Sequence, residues 1–438
     1  INGLVDWRLI SYDKTKKTYT SHPLIKGYCE SNFDEKDKKL CHKRIYQYFG
    51  EYAPEQPETL EEMQPLFEQV YHGCAAGLYD EVFNDIYRGK IQRWDEYYLV
   101  LKLGAWGTDL DLVLNFFPLG DTSRMPLVSE RSSQLELISE ACTALLCIGK
   151  PTPAESLIMR AIKMSIKDGD YKNASISYRT LAENQFRIGE VIKAQESAKY
   201  AVKMATAKHM PRQQVRSTSF LAYTLLLSGE IEKAGQLFKE ANNIQREIEA
   251  DANILYSIEG VFYADFLTIL GRYDEAFKIN TKNLEICTNQ KKLIAEVSRC
   301  LRSLGGLERI KENHDKANEH LNNALDIARR IGIPDLEIEA LIERGRVRLD
   351  TKDYDDAVVD SSAVLKLCER TGFKLYEPEA EIVLSEVYLA LNDLEQAKIF
   401  AHSAYEKAIS MHYRWPEGDA AHLLGEIYLA MGDKVRAR

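Results

Sequence analysis

At 438 residues the chain is too long for one ordinary compact core, so several domains or an array of repeats are expected. Hydrophobic residues at 45% and charged residues at 28% are globular values, and no apolar run approaches the roughly 18 residues that span a bilayer. A formal charge of −10 argues against a general nucleic-acid binder, because phosphate contacts need a basic surface.

The chain opens on Ile1 rather than Met, no signal peptide follows, and GDKVRAR at the other end stops one turn into a helix. A piece of a longer polypeptide is therefore expected. Trp7 to Asp13 (WRLISYD) and Thr18 to Ser21 (TYTS) alternate like two short strands around the turn KTKK, and Pro23 then opens a helix. A β-hairpin wing followed by a helix is predicted. The basic residues of this region, among them Lys14, Lys16, Lys17, Lys36, Lys38, Lys39, Lys43 and Arg44, read as a solvated tip or loop.

TSHPLIKGY, Thr20 to Tyr28, resembles the end of the winged-helix domain of STAND NTPases, the class of NACHT and NB-ARC signalling ATPases. There a hairpin leads into a short His-containing motif and a helix, often reading HPLIREY in bacteria and Met-His-Asp in plants. The resemblance implies that His22 contacts the phosphates of bound ADP or ATP and helps to hold the inactive state. Ser21 and Pro23 stand where the plant form has Met and Asp.

A helix is predicted from Asp37, broken at Pro54 and Pro57 and resumed at Leu60 with Thr59 as N-cap. This stretch resembles the helical linker between winged helix and repeats in some bacterial STAND proteins. Two degenerate helical pairs follow, around AGLYDEVF (Ala76 to Phe83) and WGTDLDLV (Trp106 to Val113).

From there a block recurs about every 40 residues, ending at Ala154, Ala194, Ala234, Ala276, Ala317, Ala357, Ala397 and Ala437. An amphipathic helix precedes each block and a second helix follows it. The Gly, Asn or Asp between them supplies a tight turn, and the Ala lets the two helices approach. Pro211, Pro334, Pro378 and Pro416 stand near the start of the next unit, where a missing N–H is harmless.

Leu424-Gly425 with Tyr428, Gly432 and Ala437, and Leu304-Gly305 with Ala317, Leu321 and Ala324, resemble the signature of tetratricopeptide repeats. The fold class implied is all-α: a right-handed tetratricopeptide-like superhelix of about 40-residue hairpins, preceded by the β-wing and last helix of a winged-helix domain. The expected domains are 1–30 for the end of the winged helix, 31–131 for a helical linker with degenerate repeats, and 132–438 for the array.

In that family the first helix of each pair lines the concave face. Transferring its polar offsets places Arg179, Glu183, Arg187, Arg216, Tyr223, Arg299, Arg302, Arg309, Glu343, Arg346, Glu386, His422 and Glu426 toward the groove. Arginine dominates the middle of this set, and Arg299, Arg302 and Arg309 share one helical face, so a groove with a basic centre is expected. The Lys and Asn set of the chaperone-binding carboxylate clamp cannot be assembled.

Nothing in the chain spells out catalysis. IGKPT, the nearest fragment to a phosphate loop, lacks its first glycine and falls in a repeat turn. Cys41-His42 and His72-x-Cys74 fall short of four zinc ligands, and the eight cysteines form no CxxC pair, which points to reduced thiols and a cytoplasmic setting. No enzyme, metal or cofactor is expected within this segment. The STAND resemblance implies ATP or ADP with Mg in a separate NTPase domain, a separate effector domain, a protein trigger on the concave face and homo-oligomerisation on activation. Antiviral defence and transcriptional control are the settings it implies; no membrane partner is expected, since no apolar run is long enough to span a bilayer. The alternatives are a free-standing tetratricopeptide scaffold and the regulatory arm of a protease.

Overall fold

Alternation in ISYD and TYTS is realised as two antiparallel strands, β1 (Ile10–Asp13) and β2 (Thr18–Ser21), with Ile10 opposite Ser21 and Asp13 opposite Thr18. The computed structural model describes residues 9–13, 18–249 and 254–437, so Trp7, Arg8 and the Lys-rich turn 14–17 lie outside the described residues. The chain divides into two compact units, Ile1–Asp95 and Glu96–Arg438. That division falls inside the 31–131 stretch.

In the first unit, Pro23 occupies the first turn of α1 (Pro23–Asn32), where its fixed φ suits the helix and no backbone donor is lost. Asp34 caps α2 (Glu35–Tyr52) by accepting from Asp37 N at 2.7 Å, two residues earlier than the predicted start. Thr59 caps α3 (Leu60–Ala75), its Oγ1 accepting from Glu62 N at 3.2 Å, as the sequence indicates. Helices α2 and α3 pack together, with His42 Nδ1 2.7 Å from His72 Nδ1. A wide-turned helix, Val82–Ile91, then buries Val82, Phe83, Ile86 and Tyr87.

The second unit begins with α4 (Trp106–Leu114) and then alternates long helices. These are α5 (Arg131–Cys147) with α6 (Pro151–Asp168), α7 (Tyr171–Arg187) with α8 (Val191–Ala207), and α9 (Pro211–Leu227) with α10 (Ile231–Ile248). The series continues with α11 (Ile258–Ile269) and α12 (Tyr273–Glu285), α13 (Ile294–Ile310) and α14 (His314–Ile331), then α15 (Pro334–Asp350) and α16 (Tyr354–Thr371). It closes with α17 (Glu377–Ala390), α18 (Leu394–Met411) and α19 (Arg414–Ala430).

One turn chemistry joins every pair. Residues 149, 189, 229, 271, 312, 352, 392 and 432 all have positive φ, between +60° and +86°. The next residue in each case donates its N–H five residues back, as Glu190 N does to Gln185 O and Asn313 N to Glu308 O. This is the Schellman closure, which satisfies the last carbonyls of the first helix and reverses the chain at once. The Ala that follows is fully buried at Ala154, Ala194, Ala234, Ala276, Ala317, Ala357 and Ala397, so the two helices touch where side chains are smallest.

Summed over the repeats, the small rotation per unit coils the array into a superhelix that meets itself. Trp415 Nε1 donates to Leu226 O at 3.0 Å across 189 residues, between four and five repeats of about 40 residues. Pro334 and Thr371 sit against Gly149, and Met411 against Gly189. A Cβ at Gly149 would come within 2.7 Å of Thr371 Cγ2, so glycine is needed there for close approach as well as for its φ of +77°. Turns not covered in this way are free to carry Glu312, Lys352 and Asn392.

Candidate ligand-binding channel

The first helices present their inward faces to one another, and from α7 to α19 all seven contribute to a cavity of about 530 Å³. Aromatic side chains form much of its wall: Phe186, Tyr223, Tyr376, Tyr413 and Trp415. Tyr223 stacks on Phe262 with ring centroids 4.2 Å apart, and burial raises its phenol pKa well above the ordinary value. The volume falls within the range of ligand pockets, and the wall mixes aromatic with charged side chains.

Charge is distributed through the lining as a connected set of ion pairs between neighbouring first helices. Arg302 meets Asp265 at 3.1 Å and Glu339 at 3.5 Å. Arg346 is held by Glu343 at 2.6 Å and Glu379 at 2.8 Å, and Tyr413 donates to the other oxygen of Glu379 at 2.6 Å. Arg309 pairs with Asp350 at 3.1 Å. Deeper in, Arg187 and Arg299 converge on Asp335 at 3.0 and 3.6 Å. Burial favours the neutral acid at Asp335, but the two guanidinium groups outweigh it and hold the carboxyl below its ordinary range.

Of the residues assigned to the groove from sequence, Tyr223, Arg302, Arg309 and Arg346 line the cavity, and Arg187 and Arg299 line a smaller hollow behind it. Arg179 pairs with Glu183 on its own helix, and Arg216 is exposed; neither is on the cavity wall. Glu343 and Glu386 are on the wall, whereas His422 and Glu426 form an exposed pair 3.5 Å apart away from it.

The expected basic centre is corrected. The cavity carries three arginines against seven carboxylates, because each arginine recruits acids from the adjacent repeats. Asp335, Tyr376, Tyr413, Trp415 and Asp419 were outside the transferred offsets, which cover only the middle of each first helix. They stand beside the punctuating prolines Pro334, Pro378 and Pro416, and that adjacency is the sequence signal that would have found them.

His22 lies in the other unit. Its Nδ1 accepts from Leu24 N at 3.2 Å, capping α1. With Nδ1 accepting, the exposed Nε2 edge of the ring is left as a hydrogen-bond donor.

Residues 251–330 match the tetratricopeptide repeat family. No curated protein sequence matches the chain. Among solved structures, the Rap conjugation gene regulator of the plasmid pLS20, in complex with the Phr* peptide, is 12% identical with a TM-score of 0.53, over 84% of this chain and 95% of that one. The two share the superhelical fold. A Signal Transduction ATPase with Numerous Domains (STAND) protein with a tetratricopeptide repeat sensor from Pyrococcus horikoshii is 16% identical with a TM-score of 0.40, over the whole of this chain and 56% of that one. This chain therefore spans little more than half the length of that protein. A Rap protein complexed with Competence and Sporulation Factor is 12% identical with a TM-score of 0.47, over 86% of this chain and 99% of that one.

Proposed function

We propose that this chain is the ligand-sensing repeat region of a STAND signalling ATPase, and that the channel on the inner face of the repeats takes a segment of a protein trigger. The cavity walled by seven successive first helices carries the reading. A ligand there touches many repeats at once, so its binding energy can act on the superhelix as a whole. The Rap regulator of the same fold was solved with a peptide bound, and a peptide segment is the ligand class proposed for a cavity that seven helices line.

In this reading the chemistry is done elsewhere. ATP or ADP and Mg are held by an NTPase domain, with the Nε2–H of His22 contacting a phosphate, and trigger binding releases autoinhibition and promotes homo-oligomerisation. Antiviral defence is the proposed setting, and the segment itself contributes recognition rather than catalysis.

The test is selection of displayed random peptides on the purified chain, with Thr268→Trp as the counter-target. Thr268 is on the cavity wall, and an indole there would occupy the space. Peptides that bind the wild type and not the filled variant, at equal helical circular dichroism, support the channel. Enriched peptides that bind both equally, or no enrichment at all, would refute it.

A further inference from the structure

On the footing that the channel takes a protein segment, we infer that its anchor is a basic side chain, lysine or arginine, seated between Glu386 and Asp419 where α17 and α19 meet the cavity. The ion-pair pattern leaves this position over. All three arginines of the wall are engaged, and five of its seven carboxylates hold them or hydrogen-bond to neighbours. Glu386 and Asp419 are the remaining two. Neither forms a hydrogen bond or ion pair with another described residue.

Neither carboxylate holds an ion-pair partner of its own, so their like charges repel, and the partial burial of Glu386 makes its charge more costly still. Desolvation raises the pKa of both groups and Asp419 adds to the rise at Glu386; Arg346, already held by Glu343 and Glu379, opposes the rise at both without cancelling it, as do Arg309 at Glu386 and His422 at Asp419. A guest ammonium or guanidinium would relieve both effects at once, which an apolar or acidic guest would not. Tyr413 and Trp415 on the same wall supply aromatic surface for the aliphatic stem and ring faces for the cation. Trp415 is fixed by its hydrogen bond to Leu226, so this surface is in place before the guest arrives. No group of three His, Cys, Asp or Glu among the described residues could hold a metal ion, so a metal is not the cation proposed.

The experiment extends the display selection. Channel-dependent peptides, those lost on Thr268→Trp, are sequenced, synthesised with a fluorescent label, and titrated against wild type and the Glu386→Gln, Asp419→Asn double variant. Peptides are expected to share a Lys or Arg at one position, to weaken about tenfold or more when it becomes Ala, and to weaken as much on the double variant. Urea midpoints confirm that the double variant is folded, as removal of two crowded charges predicts. Channel-dependent peptides with no basic requirement would overturn the inference while leaving the channel reading intact, and so would basic peptides that bind the double variant unchanged. Absence of any channel-dependent peptide would overturn both. Spermidine is included as a competitor: displacement of the label at the peptide's own affinity would assign the site to a free polyamine and overturn the peptide anchor.

Discussion

Replacing Asp335 with Asn isolates the buried charge on which the inner face is built. The carboxylate stands in the first turn of α15 and is 3% exposed. It accepts from Arg187 Nη2 at 3.0 Å and Nε at 3.2 Å and lies 3.6 Å from Arg299 Nη2. An amide keeps the shape and removes the charge, leaving Arg187 with Glu183 at 3.9 Å and Arg299 with Glu296 at 3.0 Å. Breaking a buried pair costs about 3–5 kcal/mol, and the residual partners place this case near the lower end, about 3 kcal/mol. The assay is urea unfolding at neutral pH, followed by circular dichroism, read as a shift of midpoint at constant slope. Joint replacement by Asp335→Leu and Arg187→Met removes both charges and is expected to recover to within about 1 kcal/mol of wild type. The pH dependence has a definite sign. The folded pKa lies below the unfolded value of about 3.9, so the contribution is complete above that pH and is lost as pH falls through the folded value. Wild type should therefore lose more stability than the Asn variant on acidification below about pH 4. A cost under about 1 kcal/mol at neutral pH, or parallel acid profiles, would refute this account of the pair.

Four further outcomes follow from single contacts. Gly149→Ala should cost more than Gly271→Ala, because both have φ near +75° (+77° and +71°) but only the first Cβ meets a neighbour, Thr371 at 2.7 Å; about 1–2 kcal/mol is the shared backbone cost, and thermal melts give the difference. Glu312→Gly should stabilise by about 0.5–1 kcal/mol in the same melts, since Glu312 is held at φ +61° in a turn that glycine fills elsewhere. Trp415→Phe removes the hydrogen bond to Leu226 and should cost about 1 kcal/mol, with faster amide exchange at the ends of α9 and α19. Glu386→Gln should raise stability at neutral pH, because burial raises the folded pKa of this acid; the advantage should fade as pH falls through that value toward the unfolded pKa of about 4.3.

The repeats were legible because each unit spends the same residue types on the same geometric tasks. The turn at Gly189 and the buried Ala194 recur in register at Gly229 and Ala234, and the set survives even where Glu312 or Lys352 replaces glycine. The cap at Thr59 was legible for a similar reason, being local: a side-chain oxygen and a backbone N–H three residues on; Asp34 makes the same bond, although the helix start predicted from sequence is Asp37. The charge of the channel was not. Arg302 reads as a free cation along its own helix, yet Asp265 and Glu339, 37 residues before and after it, are one repeat away in each direction. Nor did any periodicity foretell that Asp335 would reach Arg187 across 148 residues, since that contact depends on the accumulated coil of the array.

That coil also determines what a ligand can do. Tyr223 on α9 and Trp415 on α19 belong to different passes of the superhelix, and they line one cavity because Trp415 is docked on Leu226. A guest that touches both walls loses one of them if the docking opens. Linkage then requires that occupancy oppose undocking: a guest at a hundred times its Kd adds about 2.7 kcal/mol to the cost of opening, provided the open form does not bind it. The same relation works in reverse, so a change that loosens the docking must weaken the guest by the equivalent factor. Trp415→Phe is therefore expected to lower the affinity of channel-dependent peptides even where they never contact the indole nitrogen. Equal affinity for wild type and the Trp415→Phe variant, together with slower exchange at α9 and α19 on binding, would show that the guest tightens the coil through other contacts; equal affinity with unchanged exchange would show that channel and coil are uncoupled.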